Sequence, residues 1–248
     1  MKELYYYIRY IFAVPVLIID IVFESLFLII MFTFFSAKFN FGSYYHHWGR
    51  RVLAIAGIKL KIIGYENVPP GKSYIFASNH VSQFDIPIIF AAIKSKISII
   101  YKKELEKVPF FGWKLNRSYF IAIDRSDARK AMASVIEAIK QLKKGVSIFI
   151  YPEGTRSDTG EVQEFKRGTF ILAAKTGKSI VPMTIVGSDK ILPKGKLFFR
   201  PGRVAVVFHP PYSFPEKMSK SEEQEHLEKI RQIIISGFDI AKKHLANS

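Results

Sequence analysis

The feature that most constrains this chain is an almost unbroken apolar stretch from Leu4 to Phe35, interrupted only by Arg9, Pro15, Asp20, Glu24 and a few small or hydroxylated residues. A membrane-spanning helix needs about 20 predominantly apolar residues. The longest charge-free runs here, residues 10–19 and 25–37, are both shorter than that. A single helix through the whole stretch would carry Asp20 and Glu24 near its middle, a costly depth for carboxylates. A secretory signal peptide fits poorly, because the stretch is too long, acidic and aromatic and has no A-x-A-like cleavage site. A buried helix pair and a single tilted span with its carboxylates near one interface both remain open. The preferred arrangement is two short helices dipping into one leaflet, with Asp20 and Glu24 kept at the polar surface. Residues 1–50 are accordingly expected to be hydrophobic membrane-anchoring helices, and residues 51–248 the body.

Charge separates the two parts further. The whole chain carries 37 basic and 21 acidic side chains, a net charge of +16. Residues 1–50 hold four basic and three acidic side chains, so +15 of the +16 lies in residues 51–248. A basic body on a hydrophobic anchor suits an anionic bilayer surface, an acidic protein or a phosphorylated substrate. The absence of cysteine excludes a disulfide framework, thiolate metal sites and a cysteine nucleophile.

Beyond residue 50 apolar periodicity alternates between strand and helix. Ile58, Leu60 and Ile62 against Lys59 and Lys61 read as a half-buried strand, and Ser73–Ser78, Ile97–Tyr101, Tyr119–Ile123, Val146–Tyr151, Ile180–Val186 and Val204–Phe208 as further strands. Pro87 fits the first turn of a helix. Ala128, Met132, Val135, Ile139 and Leu142 step by three and four residues toward a stop at Gly145. Ser219 and Glu222 have the spacing of a capping box before a helix carrying Leu227, Ile230, Ile233, Ile234 and Phe238. The alternation gives an α/β class; strand order does not follow from it.

The segment Asn79-His80-Val81-Ser82-Gln83-Phe84-Asp85 lies between a strand and the Pro87 helix. Histidine accepts a proton near neutral pH, and a carboxylate on its second ring nitrogen would fix the tautomer and stabilise the imidazolium. On one continuous helix His80 and Asp85 would face about 140° apart, so the intervening residues must turn Asp85 back. The plainer alternative is a loop histidine with Asp85 as a helix cap. Downstream, Tyr151-Pro152-Glu153-Gly154-Thr155-Arg156-Ser157 leaves a buried strand, where open parallel sheets place their sites. Gly154 permits close backbone approach, and Arg156 has the planar fork that grips a phosphate. A polar turn is the bland alternative. Asp124-Arg125, Lys102-Lys103 and Phe165-Lys166-Arg167-Gly168 place further cations near strand or helix ends.

Taken in order, NHxxxxD at His80 and Asp85, IDR at 123–125, PEGTRS at 152–157, FKxG at 165–168 and VP at 181–182 resemble the glycerolipid acyltransferases, most closely the bacterial 1-acylglycerol-3-phosphate (lysophosphatidic acid) acyltransferases. The likeness runs from about Gly57 to Pro211. It implies a single mixed-sheet α/β acyltransferase domain flanked by helices, behind an N-terminal two-helix hydrophobic anchor. It also implies acyl transfer from an acyl carrier protein or coenzyme A thioester to the sn-2 hydroxyl of lysophosphatidate, with no tightly bound cofactor; the spacing of the six histidines implies no metal site. The family's roles carry to His80 as base and Asp85 as its orienting partner. They carry to Glu153, Gly154, Thr155, Arg156 and Arg125 as the glycerol-phosphate site; Lys102, Lys103 and Lys166, by charge and position alone, are further candidates to hold the phosphate. Membrane lipid and acyl carrier protein are the implied partners, on the cytoplasmic face of the inner membrane. Two departures stand out: Tyr119 and Ala122 where the family often has glycine and phenylalanine, and Tyr151 where Phe precedes PEGTR.

Rival readings belong to other classes. Glycerol 3-phosphate or another lysophospholipid would be an alternative acceptor. A membrane-bound thioesterase would need a serine such as Ser82 or Ser157, yet no G-x-S-x-G elbow occurs. A basic membrane-surface module would need the charge but not the H-x4-D pair. Nucleic-acid binding fits the charge but not the hydrophobic N-terminus, and is not expected.

Overall fold

The computed structural model describes residues 2–35, 40–124, 128–215 and 218–246 of the 248-residue chain. Each alternating or fully apolar run becomes a strand: β1 (Ile58–Ile63), β2 (Ile75–Ser78), β3 (Ile97–Lys102), β4 (Ile121–Ile123), β5 (Ser147–Ile150), β6 (Ile180–Val186) and β7 (Gly202–Phe208). Between and around them run α1 (Lys2–Phe34), α2 (Phe41–Ala56), α3 (Asp85–Ala92), α4 (Phe111–Arg117), α5 (Ala128–Lys143), α6 (Gly168–Thr176), α7 (Ser188–Ile191) and α8 (Lys220–Ala246). Among the described residues the strands form one seven-stranded sheet in the order β1-β7-β6-β2-β5-β3-β4. All pairings are parallel except β6 with β7, so the sheet is mixed.

Successive side chains of a strand point to opposite faces, and here both faces are covered. On β2, Phe76 joins the cluster beneath α2 and α3 that includes Trp48, Ile88 and Phe90. Ile75 and Ala77 join the opposite cluster with Leu142 of α5, Leu172 of α6 and Leu227, Ile230 and Ile234 of α8. This explains why β2 and β5 read as continuous apolar runs rather than alternating ones. The Ser219–Glu222 capping box forms as its spacing predicts: Ser219 N–H donates to Glu222 Oε2 at 2.7 Å, and Glu222 N–H to Ser219 Oγ at 3.3 Å.

The N-terminal stretch departs from the expectation in two ways. It is one helix, α1, of 33 residues with Pro15 inside it; the break that makes a helix pair falls after Phe34, and the second helix is α2. Of its two carboxylates, Glu24 is buried inside the protein rather than held at a polar surface. Glu24, 3% exposed, pairs with Lys114 of α4 at 2.7 Å, and Asp20 pairs with Arg51 of α2 at 2.6 Å. A cation from the body pairs with each in place, which offsets part of the penalty that argued for a surface location. By length and composition α1 is apolar enough to cross a membrane. It is nonetheless attached to the body along its length. Arg9 donates to the Ala54 and Ile55 carbonyls at the end of α2, and Phe32 stacks on Phe41. The boundary expected at residue 50 falls inside α2.

Helix α2 also positions the functional loop, because it crosses α3, whose first residue is Asp85. Gly49 makes the close crossing possible: a Cβ there would lie 2.6 Å from both the Ala91 nitrogen and the Pro87 carbonyl oxygen of α3. Those are backbone atoms and cannot swing aside. Overpacking at Gly49→Ala is expected to cost about 1–3 kcal/mol, which outweighs the roughly 0.8–1 kcal/mol that Gly→Ala gains in a helix interior, for a net loss of stability. A lowered denaturation midpoint checks this; a raised one would mean that the crossing is looser than the geometry requires.

Candidate active site

Neighbouring parallel strands bring the two motif loops together. In the β2–β5 register Ala77 lies opposite Ile150, so His80 and Glu153, each three residues further on, emerge level with one another. The loops are stitched together at that point. His80 N–H donates to Glu153 Oε1 at 2.9 Å, and Ser157 N–H donates to the His80 carbonyl at 2.8 Å. Glu153 Oε2 accepts from Gln163 N–H at 3.0 Å. Burial pushes the Glu153 carboxyl above the ordinary carboxylate range, against the downward pull of these two amides. Glu153 therefore braces the backbone on either side of the site.

The turn that the H-x4-D spacing demands is present. Residues 81–84 wrap around the carboxylate of Asp85, which is fully buried at the start of α3. One oxygen, Oδ2, accepts from His80 Nδ1 at 2.8 Å, Val81 N–H at 2.8 Å and Ser82 N–H at 2.9 Å. Asp85 is therefore not the cap of α3: Phe84 holds that position without a side-chain cap bond, and the Asp85 carboxylate turns back to the loop and the histidine. An ionised carboxylate only accepts, so this contact selects the tautomer that carries its proton at Nδ1, with the lone pair on Nε2.

Several residues that the motif reading left without a role hold this geometry. Tyr151 stacks on the imidazole with centroids 3.7 Å apart and planes 12° from parallel. Burial, with a contribution from the Asp85 charge, raises its phenol well above the usual value, so it remains protonated. Asn79 pins the loop to β6 through a pair of bonds with Ile185, 2.9 Å to its carbonyl and 2.8 Å from its amide. Ser82 Oγ donates to the Leu192 carbonyl at 2.9 Å and accepts from Phe84 N–H at 3.2 Å. That hydroxyl is buried and committed, and Ser157, also buried, accepts from Gly160 N–H at 3.1 Å. Neither serine has the free, base-activated hydroxyl that a thioesterase would need.

The anion-binding candidates divide. Gly154 takes φ +76°, and a Cβ there would meet the Lys166 side chain at 3.0 Å. Lys166 therefore lies over the Glu153–Arg156 turn, with its own N–H bonded to the Pro152 carbonyl at 2.9 Å. Thr155 is exposed and its hydroxyl faces the Arg156 carbonyl at 3.5 Å. Lys194 Nζ donates to that same carbonyl at 2.9 Å, while the half-buried Arg156 guanidinium makes no ion pair among the described residues. Lys102 and Lys103 sit at the end of β3, two strands from β2. Both are exposed, Lys102 faces Glu104 at 3.3 Å, and among the described residues no side-chain hydrogen bond or ion pair joins either to the His80 cluster. Arg125 lies outside the described residues. No group of three or more His, Asp or Glu side chains positioned for a metal occurs among the described residues. The arrangement brings a carboxylate-paired imidazole beside a braced glycine turn that carries Arg156 and Lys166.

The profile of the family described as Acyltransferase matches residues 59–186, just over half of the chain. The 1-acyl-sn-glycerol-3-phosphate acyltransferase of Borreliella burgdorferi is 32% identical over 190 residues, covering 77% of this chain and 76% of that one. The chloroplastic 1-acyl-sn-glycerol-3-phosphate acyltransferase of Arabidopsis thaliana is 35% identical over 173 residues, covering 67% of this chain; the match spans 48% of that protein. The chain thus spans about half the length of this plant relative and of its Brassica napus counterpart. Among solved structures, the 1-acyl-sn-glycerophosphate (LPA) acyltransferase PlsC of Thermotoga maritima superposes with a TM-score of 0.81 at 27% identity, covering 96% of this chain and 97% of that one. With the motif loops meeting at adjacent strand ends and the family profile spanning both, this chain belongs to the acyltransferase family.

Proposed function

We propose that the protein transfers an acyl group from a thioester to the sn-2 hydroxyl of 1-acyl-sn-glycerol 3-phosphate, giving phosphatidic acid. The observation that carries this is the His80–Asp85 pair, 2.8 Å apart, beside the turn that presents Arg156. His80 Nε2 takes the hydroxyl proton as the alcohol oxygen attacks the thioester carbonyl. The resulting tetrahedral oxyanion collapses, the carbon–sulfur bond breaks, and the imidazolium returns its proton to the thiolate. Asp85 holds the tautomer and offsets the imidazolium charge. Arg156, with Lys166 and Arg125, holds the acceptor's phosphate so that its hydroxyl meets Nε2. The names of the Borreliella and Thermotoga relatives support this acceptor. The basic body suits either donor, acyl carrier protein or coenzyme A.

The α1 helix is the membrane-binding part and the body lies on the cytoplasmic face, with α1 within one leaflet. Contacts from Glu3 to Phe32 tie α1 to a single body. A helix of this length measures about 50 Å, so an upright span would carry its two ends to opposite sides and break these contacts.

Incubating the purified chain with one acyl thioester and, in turn, lysophosphatidate, glycerol 3-phosphate and neutral lysophospholipids should yield product with lysophosphatidate. Free fatty acid without acceptor would instead identify a thioesterase. Arg156→Ala should raise the acceptor KM about tenfold to a hundredfold, the worth of a charge-assisted hydrogen bond. An unchanged KM would remove Arg156 from the phosphate site.

A further inference from the structure

The segment joining α7 to β7 forms a closed loop at the end of the sheet that holds His80. Its neck is closed by Arg200 N–H to the Ile191 carbonyl at 2.9 Å, and Lys196 N–H turns back to the Pro193 carbonyl at 3.1 Å. At its tip Leu197 is 86% exposed, more than any other large hydrophobic described. The loop is not a solvated excursion, because one side of it is packed on the N-terminal half of α1. Phe198 stacks on Tyr7 and packs tilted against Tyr10, with centroids 6.0 and 4.7 Å away, and Arg200 pairs with Glu3 at 3.0 Å. On that half of α1, Leu4, Tyr7, Ile8, Ile11 and Phe12 expose between 47% and 71% of their surface. Leu197 therefore extends an existing apolar face. Beneath the tip is a hollow of about 360 Å³ lined by Lys190, Lys196 and Arg200 together with Pro193, Leu197 and Phe198.

An apolar tip ringed by long cations is what a bilayer interface accommodates: the leucine enters the acyl boundary while the cations remain among the headgroups. Each cation held near an anionic surface strengthens binding about fivefold. The other end of the loop reaches the site. Leu192 accepts from Ser82 Oγ at 2.9 Å, Lys194 holds the Arg156 carbonyl at 2.9 Å, and Phe199 meets both Phe84 and Tyr10 edge-on at 5.2 Å. We propose that residues 193–200 are a second membrane-contact element, which inserts Leu197 into an anionic leaflet beside α1 and sets the mouth of the site at headgroup level. This rests on the reading of α1 as a membrane-bound helix.

The lack of cysteine makes the test direct. Leu197→Cys, Phe12→Cys and Lys144→Cys, the last exposed at the end of α5, each carry one thiol for an environment-sensitive fluorophore. Quenching by iodide is measured with and without vesicles of phosphatidylglycerol and phosphatidylcholine. The expected result is several-fold protection at 197 and at 12, and none at 144. Protection at 12 with position 197 as open as 144 overturns the second contact and leaves the anchor standing. Openness at both 12 and 197 overturns the anchor and this inference with it. Leu197→Asp should also raise the KM for acceptor presented in vesicles several-fold and leave turnover of a soluble short-chain acceptor unchanged; equal loss with both would mean a structural role and overturn the proposal.

Discussion

Replacing His80 with alanine should lower acyl transfer by about 10²–10⁴, the usual worth of a positioned general base, with membrane association and folding unchanged. The ring is confined from four directions: Asp85 at Nδ1, Tyr151 against its face, and two backbone bonds, to Glu153 and from Ser157. The two backbone bonds survive the loss of the ring, so the loop should keep its shape although the stacking of Tyr151 is lost. Asp85 retains the Val81 and Ser82 amides as partners. His80→Gln, which keeps a polar side chain but cannot shuttle a proton, should be as impaired as the alanine variant. Near-native turnover by either would end the base assignment.

Asp85→Asn separates the two roles of the carboxylate. An asparagine oxygen can still accept from the Val81 and Ser82 amides, so the turn should survive. The same oxygen would go on accepting from Nδ1, because all three bonds meet on Oδ2, so the variant keeps the tautomer and removes only the charge that stabilises imidazolium. The expected signature is a fall in kcat with little change in KM for the acceptor. A variant that fails through KM alone would indicate that Asp85 shapes the pocket rather than tuning the base.

Much of this site was legible because its parts are local in sequence. The H-x4-D spacing forces a turn, and the turn forms; Ile58, Leu60 and Ile62 alternate, and the strand forms; Ser219 and Glu222 cap as spaced. What stayed hidden depends on partners far along the chain. Tyr151 looked like a bare departure from phenylalanine, since stacking on His80 requires knowing that β2 and β5 are neighbours. Lys194 gave no local sign of holding the Arg156 carbonyl across 38 residues. Strand order was equally beyond reach, because alternation specifies elements and not adjacency. Helix α4, short and lying in a charged segment broken by Pro109 and Gly112, left too weak a period to read. Asp20 and Glu24 were placed at a polar surface because their partner cations lie 31 and 90 residues away.

That last pair carries the largest stability effect expected in the molecule. Lys114 and Glu24 meet at 2.7 Å with side chains only 4% and 1% exposed, and Glu24 Oε1 has no hydrogen-bond partner. Burial pushes the Glu24 carboxyl above its ordinary range, and the Lys114 charge pulls it part of the way back. Removing the cation alone, as in Lys114→Met, leaves a buried carboxylate uncompensated and should cost about 3–5 kcal/mol. The variant limits that loss by protonating Glu24. Its folded form then binds a proton that the unfolded chain releases, so stability is fullest below the unfolded carboxylate pKa and falls as pH rises through the higher folded value. The double variant Glu24→Gln with Lys114→Met removes both charges and should recover most of the loss, because an apolar or neutral replacement of a buried pair is often near neutral. Denaturation midpoints of the four proteins in detergent, taken at two pH values, complete the cycle. If Lys114→Met stays within about 0.5 kcal/mol of the parent, as surface substitutions usually do, the pair is not the clamp between α1 and α4 that its burial indicates.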